Sequence, residues 1–216
     1  MSGRCVALLG GSFDPVHNGH VALAKYFSTL LVPDELCIIP AGNPWQKEAL
    51  KAAPEHRLAM AQLAFNNLAG TVKLDQQEIR RAGASYSIDT VRTLRAELGP
   101  DASIVLIIGA DQLQQLHTWK DWRQLFDYAH VCAASRPGFA SDQALLPAEV
   151  ARELARRTAT PEQIRTTPRG LAFLADNLAF DISATQIRSA LKHGEPVGSL
   201  IPPAVLDYIK HHHLYT

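Results

Sequence analysis

Excess charge of either sign is missing from this chain: 21 lysines and arginines balance 21 aspartates and glutamates over 216 residues. No overall field recruits nucleic acid or an anionic membrane, so any phosphate chemistry must come from a local site. Cysteine is scarce. Cys5, Cys37 and Cys132 stand far apart, inside or beside apolar runs, which reads as reduced core thiols rather than a disulfide framework or a zinc cluster. No apolar stretch approaches the roughly 20 residues of a membrane span, and the N-terminal apolar run is too short for a signal-peptide core. The expectation is a cytoplasmic protein with no nucleic-acid and no membrane partner. Neither G-x-G-x-x-G nor G-x-x-x-x-G-K-[ST] occurs, so the dinucleotide fingerprint and the P-loop are both unsatisfied.

What the chain does have is enough apolar residue, 47% of the total, to bury a sizeable core at single-domain length. Short apolar runs at 5–9, 36–39, 103–108 and 129–133 read as strands, and amphipathic segments at 18–31, 54–68, 87–98, 147–157, 184–192 and 203–212 read as helices. That alternation predicts an α/β fold, doubly wound around a mainly parallel sheet covered on both faces. The run "ASIVLIIGAD" is continuously apolar and β-branched, as a strand buried on both faces should be. From Pro40, "PAGNPWQKEALKAAPEH" carries three prolines and no periodicity. It reads as a long loop after the second strand, a common place for ligand contacts.

Chemistry concentrates in "GGSFDPVHNGH" at residues 10–20, directly after the first apolar run. The first strand-to-helix turn of a parallel sheet aims backbone N–H groups and a positive helix end at one point, which suits an anion. With a helix starting near Asn18, His17 stands at its mouth and His20 one turn on, both able to donate to phosphate oxygens. H-x-x-H also suits zinc, but no third ligand stands at a recognisable spacing; role-free histidines are the other alternative. In "DISATQIRSAL" at 181–191, Ser183 has the form of an N-cap. Ser183, Thr185 and the Arg188 guanidinium would converge on one anion. Taken alone, this segment reads equally as a capped helix with a surface arginine.

"GSFDPVHNGH" together with "ISATQIR" resembles the paired signatures of the nucleotidylyltransferase superfamily. "ASYSIDTVRTLR", "IIGADQL", "TWKDW", "SRPGF" and the ending "IPPAVLDYIKHHHLY" extend the likeness to its nicotinate mononucleotide adenylyltransferase branch, over nearly the whole chain. The resemblance implies a Rossmann-like single domain over 1–216, its C-terminal helical part (about 183–213) completing the ATP site. It places His211 to His213 at the last helix, not in a tag or metal site. The implied reaction transfers the adenylyl group of ATP to nicotinate mononucleotide in NAD biosynthesis, with Mg²⁺ carried on the substrate phosphates and no metal-ligating side chains. His17, His20 and Arg188 would be catalytic. Gly10, Ser12, Phe13, Asp111, Arg136, Ser183, Thr185 and Arg188 would bind ATP, and Lys47, Ser87, Trp119 and Lys120 the acceptor. Trp119 would stack on the pyridine ring, while Trp122 is expected in the core. The segment Pro44-Trp45-Gln46-Lys47 departs from the family, which commonly has a proline pair, a histidine and a basic residue there. A nicotinamide mononucleotide or dual-specificity enzyme, and a catalytically silent nucleotide-binding regulatory module, are the alternatives. Whether the chain forms a homo-oligomer stays open.

Overall fold

The computed structural model describes residues 3–44, 50–134, 146–175 and 182–216. Six strands form one sheet: β1 (Cys5–Gly11), β2 (Glu35–Pro40), β3 (Val72–Leu74), β4 (Ser103–Gly109), β5 (His130–Ala134) and β6 (Ala172–Ala175). Their order is β3-β2-β1-β4-β5-β6 and every pairing is parallel. The doubly wound parallel sheet expected from the sequence is therefore present. Its order reverses between β1 and β4, which makes the C-terminal ends of those strands the switch point where such sheets bind ligands.

Ten helices are described: α1 (Asn18–Leu31), α2 (Pro54–Phe65), α3 (Gln77–Arg80), α4 (Ser87–Leu98), α5 (Ala110–Gln114), α6 (Leu125–Tyr128), α7 (Ala148–Arg157), α8 (Pro161–Thr166), α9 (Ala184–Lys192) and α10 (Pro203–His211). Strand alternation divides the core in two. Cys5, Ala7 and Leu9 of β1 face one cluster with Phe27 of α1, Met60 of α2, Ile187 of α9 and Val205 of α10. Val6 and Leu8 face the other with Val91 of α4, Phe126 of α6 and Leu154 of α7. The C-terminal helices thus share a core with α1, which brings the second signature to the first.

Some sequence expectations need correction. The sequence pattern does not predict β3 and β6, because Val-Lys-Leu, half-buried around an exposed lysine, and the alanine-flanked Ala172–Ala175 give too little periodicity. The helix expected over 54–68 stops at Phe65, followed by a turn in which Leu68 N–H donates to the Phe65 carbonyl. The long loop after β2 closes at Ala53, where Pro54 starts α2 with its ring at a position that needs no N–H.

Candidate active site

The turn after β1 is built tightly. A Cβ at Gly11 would lie 2.7 Å from the Phe13 ring, so only glycine fits there. Phe13 is fully buried with φ +49°, and its ring meets Phe65 at 5.8 Å and His20 at 5.1 Å, edge-on in both cases. Phe13 therefore serves as a floor for the turn, while Gly10 and Ser12 present backbone around it. Arg57 on α2, 1% exposed, donates Nη1–H to the Ser12 and Ala41 carbonyls at 3.0 and 2.6 Å. That guanidinium clamps the β1 and β2 turns together at the sheet's C-terminal edge. Burial pulls its pKa down and the Asp14 charge opposes this.

His17 is the N-cap of α1 and is buried; its ring stacks on His20 at 3.7 Å between centroids, 28° from parallel. His17 N–H donates to His20 Nδ1 at 3.2 Å. With Nδ1 accepting, neutral His20 carries its proton on Nε2. The helix end is anchored from the far side of the chain: Asn18 N–H donates to the Leu200 carbonyl at 2.8 Å and its Nδ2 to that of Ser199 at 2.9 Å.

Ser183 caps α9 through a reciprocal pair with Gln186: Ser183 Oγ accepts Gln186 N–H at 3.2 Å, and Gln186 Oε1 accepts Ser183 N–H at 3.3 Å. Arg188 Nη2 donates to Thr185 Oγ1 at 3.2 Å and Nη1 to the Asp14 carbonyl at 2.7 Å. The guanidinium thus bridges the two signatures, at the start of a helix that Ser183 caps. Asp111 is exposed in the first turn of α5, at the C-terminal end of β4.

The acceptor candidates form a second group. Ser87 is the first residue of α4, so its N–H has no intrahelical partner. Lys120 Nζ lies 3.8 Å from Asp89 of α4 and 4.5 Å from the Tyr86 ring centre, which brings the Trp119-Lys120 turn against that helix start. Trp119 is half-buried against the second core, with Nε1 buried and lacking a hydrogen-bond partner among the described residues. Trp122 is buried in that core, as expected, with Arg123 stacked on its ring at 4.3 Å. Ser85 N–H donates to the Asn43 carbonyl at 2.9 Å and Asn43 N–H to Ser85 Oγ at 3.2 Å, tying the β2 turn to the α4 start. Lys47 and Arg136 lie outside the described residues.

Sequence reasoning missed Asp14, Arg57 and Tyr215. Asp14 sits inside the first signature, but only its burial and its distant partners mark it. Among the described residues no group of three or more His, Cys, Asp or Glu could hold a metal ion, and no helix is long and apolar enough to cross a membrane.

The cytidylyltransferase-like family model matches residues 8–190, spanning both signatures. The chain belongs to that family. A Herminiimonas arsenicoxydans protein named "Probable nicotinate-nucleotide adenylyltransferase" is 66% identical over 212 residues, 98% of this chain and 97% of its own. A Chromobacterium violaceum protein of the same name is 44% identical over 211 residues, 97% of this chain and 98% of its own. The Plasmodium falciparum nicotinic acid mononucleotide adenylyltransferase complexed with NaAD superposes with a TM-score of 0.74 at 20% identity, covering 98% of this chain and 97% of that one. At that identity the likeness carries the nucleotidylyltransferase fold, and the sequence relatives carry the branch.

Proposed function

We propose that this family member transfers the adenylyl group of ATP to nicotinate mononucleotide, giving nicotinate adenine dinucleotide and pyrophosphate. The observation that carries the reading is the 2.7 Å bond from Arg188 to the Asp14 carbonyl, which ties the α9 guanidinium to the turn that leads from β1 into the stacked His17–His20 pair. The acceptor's 5′-phosphate oxygen forms a bond to the α-phosphorus, and the bond from that phosphorus to the bridging oxygen breaks, with pyrophosphate taking the electron pair. Such a displacement asks the protein for alignment and charge stabilisation rather than covalent chemistry.

His20 Nε2–H and His17 donate to the α- and β-phosphate oxygens as charge develops there. Ser183, Thr185 and Arg188 hold the β- and γ-phosphates, so α9 and the C-terminal segment complete the ATP site. Gly10, Ser12 and Phe13 shape its floor, Asp111 meets the ribose or base region, and Arg136 belongs to the same nucleotide site by the family resemblance. On the acceptor side Trp119 stacks on the pyridine ring, the N–H groups of Ser87 and Lys120 take its carboxylate, and Lys47 meets its phosphate. Mg²⁺ would come as part of the ATP substrate complex and supply positive charge to the triphosphate. The enzyme acts in the cytoplasm, where its three buried, free cysteines stay reduced.

The test is mass detection of the dinucleotide and pyrophosphate from ATP plus nicotinate mononucleotide, with EDTA abolishing both and Mg²⁺ restoring them. ATP left intact with this acceptor while pyrophosphate appears with another would reassign the substrate. ATP left intact with every nucleotide acceptor would make the chain a binding module.

A further inference from the structure

Asp14 is 3% exposed, and its carboxylate turns inward from the site. Oδ2 accepts Lys51 N–H at 2.8 Å; Oδ1 accepts Ala52 N–H at 3.0 Å and the Tyr215 hydroxyl at 2.7 Å. Three donors on one buried carboxylate fix its position closely. The carbonyl of the same residue is the one that receives Arg188. Asp14 therefore ties the entry to α2 and the penultimate residue of the chain to the guanidinium of α9.

Tyr215 takes up its place against local preference. Its φ is +65° and that of His213 is +50°, a left-handed region that non-glycine residues adopt at a cost. Leu214 between them donates N–H to the Ile209 carbonyl at 3.0 Å, and Leu214 and Tyr215 both pack, half-buried, on the α1 side of the core. The phenol lies beside Asp14 with Arg188 and Arg57 as charged neighbours, and burial next to the carboxylate pushes its pKa up, so it stays a donor. A C-terminal turn that only closed the core would need neither a strained backbone nor a hydroxyl aimed at this carboxylate.

We propose that Tyr215 is a positioning residue for the nucleotide site: its hydroxyl locks Asp14 and so sets the carbonyl on which Arg188 is held for the outer phosphates of ATP. This rests on Arg188 contacting those phosphates, as the functional reading has it.

Tyr215→Phe removes the hydroxyl and keeps the ring. It is expected to lower kcat/KM for ATP about tenfold, the scale of a lost hydrogen bond to a charged group, while inhibition by AMP, which lacks the outer phosphates, stays within about twofold. Placed in an Arg188→Ala background, it should cost less than about twofold further, since the two changes remove one coupled device. A packing role would lower both nucleotides alike and multiply with Arg188→Ala. Either of those results, or a Tyr215→Phe enzyme equal to wild type beside an impaired Arg188→Ala enzyme, overturns the proposal alone. Arg188→Ala without loss toward ATP overturns the outer-phosphate reading and the proposal with it.

Discussion

Replacing Arg188 by alanine separates the outer phosphates from the rest of the nucleotide, and two parts of its cost follow from the structure. The structural part is the loss of the 2.7 Å bond to the Asp14 carbonyl and the 3.2 Å bond to Thr185. The side chain is half-exposed, so together these contribute about 1 kcal/mol. In a chain of this length that lowers Tm by roughly 2–4 °C. The binding part is a charge-assisted contact to phosphate oxygens, about 1.5–3 kcal/mol, which corresponds to a loss of roughly 10- to 150-fold in kcat/KM for ATP. AMP lacks the partners, so its inhibition constant should change less than about threefold, below the scale of one hydrogen bond. Initial rates with varied ATP at saturating acceptor, AMP inhibition and a thermal melt give all three numbers on one preparation. Equal losses for ATP and AMP, or a fall in ATP activity explained by a collapsed Tm, would refute this placement of Arg188.

His20→Ala should lower kcat on the order of 10²-fold or more while ATP binding changes far less, because its Nε2–H matters most as charge develops on the phosphates; unchanged turnover in a steady-state assay would remove it from the mechanism. His130, fully buried, donates Nε2–H to the Thr167 carbonyl at 2.8 Å and accepts Leu171 N–H at Nδ1, 3.1 Å, joining β5 to the approach of β6. Burial pushes its pKa below 6.5, so the folded state favours the neutral ring. Its contribution is complete above about pH 6.5 and is lost as pH falls through the lowered folded value. His130→Asn should therefore melt lower than wild type at pH 8 but with a flatter decline of Tm between pH 6.5 and 5; parallel declines in scanning calorimetry would contradict the buried neutral ring.

Sheet and helices were legible where pattern is long. "SIVLIIG" could only be a strand covered on both faces, and α1, α4 and α9 start where His17, the Ser87 segment and Ser183 suggest. β3 and α3, at three and four residues, are held by their neighbours rather than by periodicity. In the site the same division applies. His17 with His20, and Thr185 with Arg188, stand three positions apart along a helix, so spacing alone joins them. Asp14 and Tyr215 are 201 positions apart and Arg57 and Ser12 are 45 apart. Nothing local distinguishes that aspartate, that arginine or that tyrosine from surface residues of the same kind, and only tertiary packing sets them around one turn.

The central claim is that the acceptor is read by its carboxylate, at the N-terminus of α4 and the Trp119-Lys120 turn. Nicotinate and nicotinamide mononucleotides differ there by one oxygen against one NH₂, which sets donor against the N–H groups of Ser87 and Lys120 and removes a charge. Two hydrogen bonds mismatched once the acceptor covers them, at about 1–3 kcal/mol each, predict a preference of roughly 10² to 10⁴ for the nicotinate form. Trp119→Ala should weaken both acceptors and leave most of that ratio, because the two rings have similar π-faces. The measurement is kcat/KM for both acceptors in wild type and Trp119→Ala: a ratio of about 10² or more in both enzymes is the predicted result. Wild-type values within about threefold of each other, short of one mismatched bond, would contradict it.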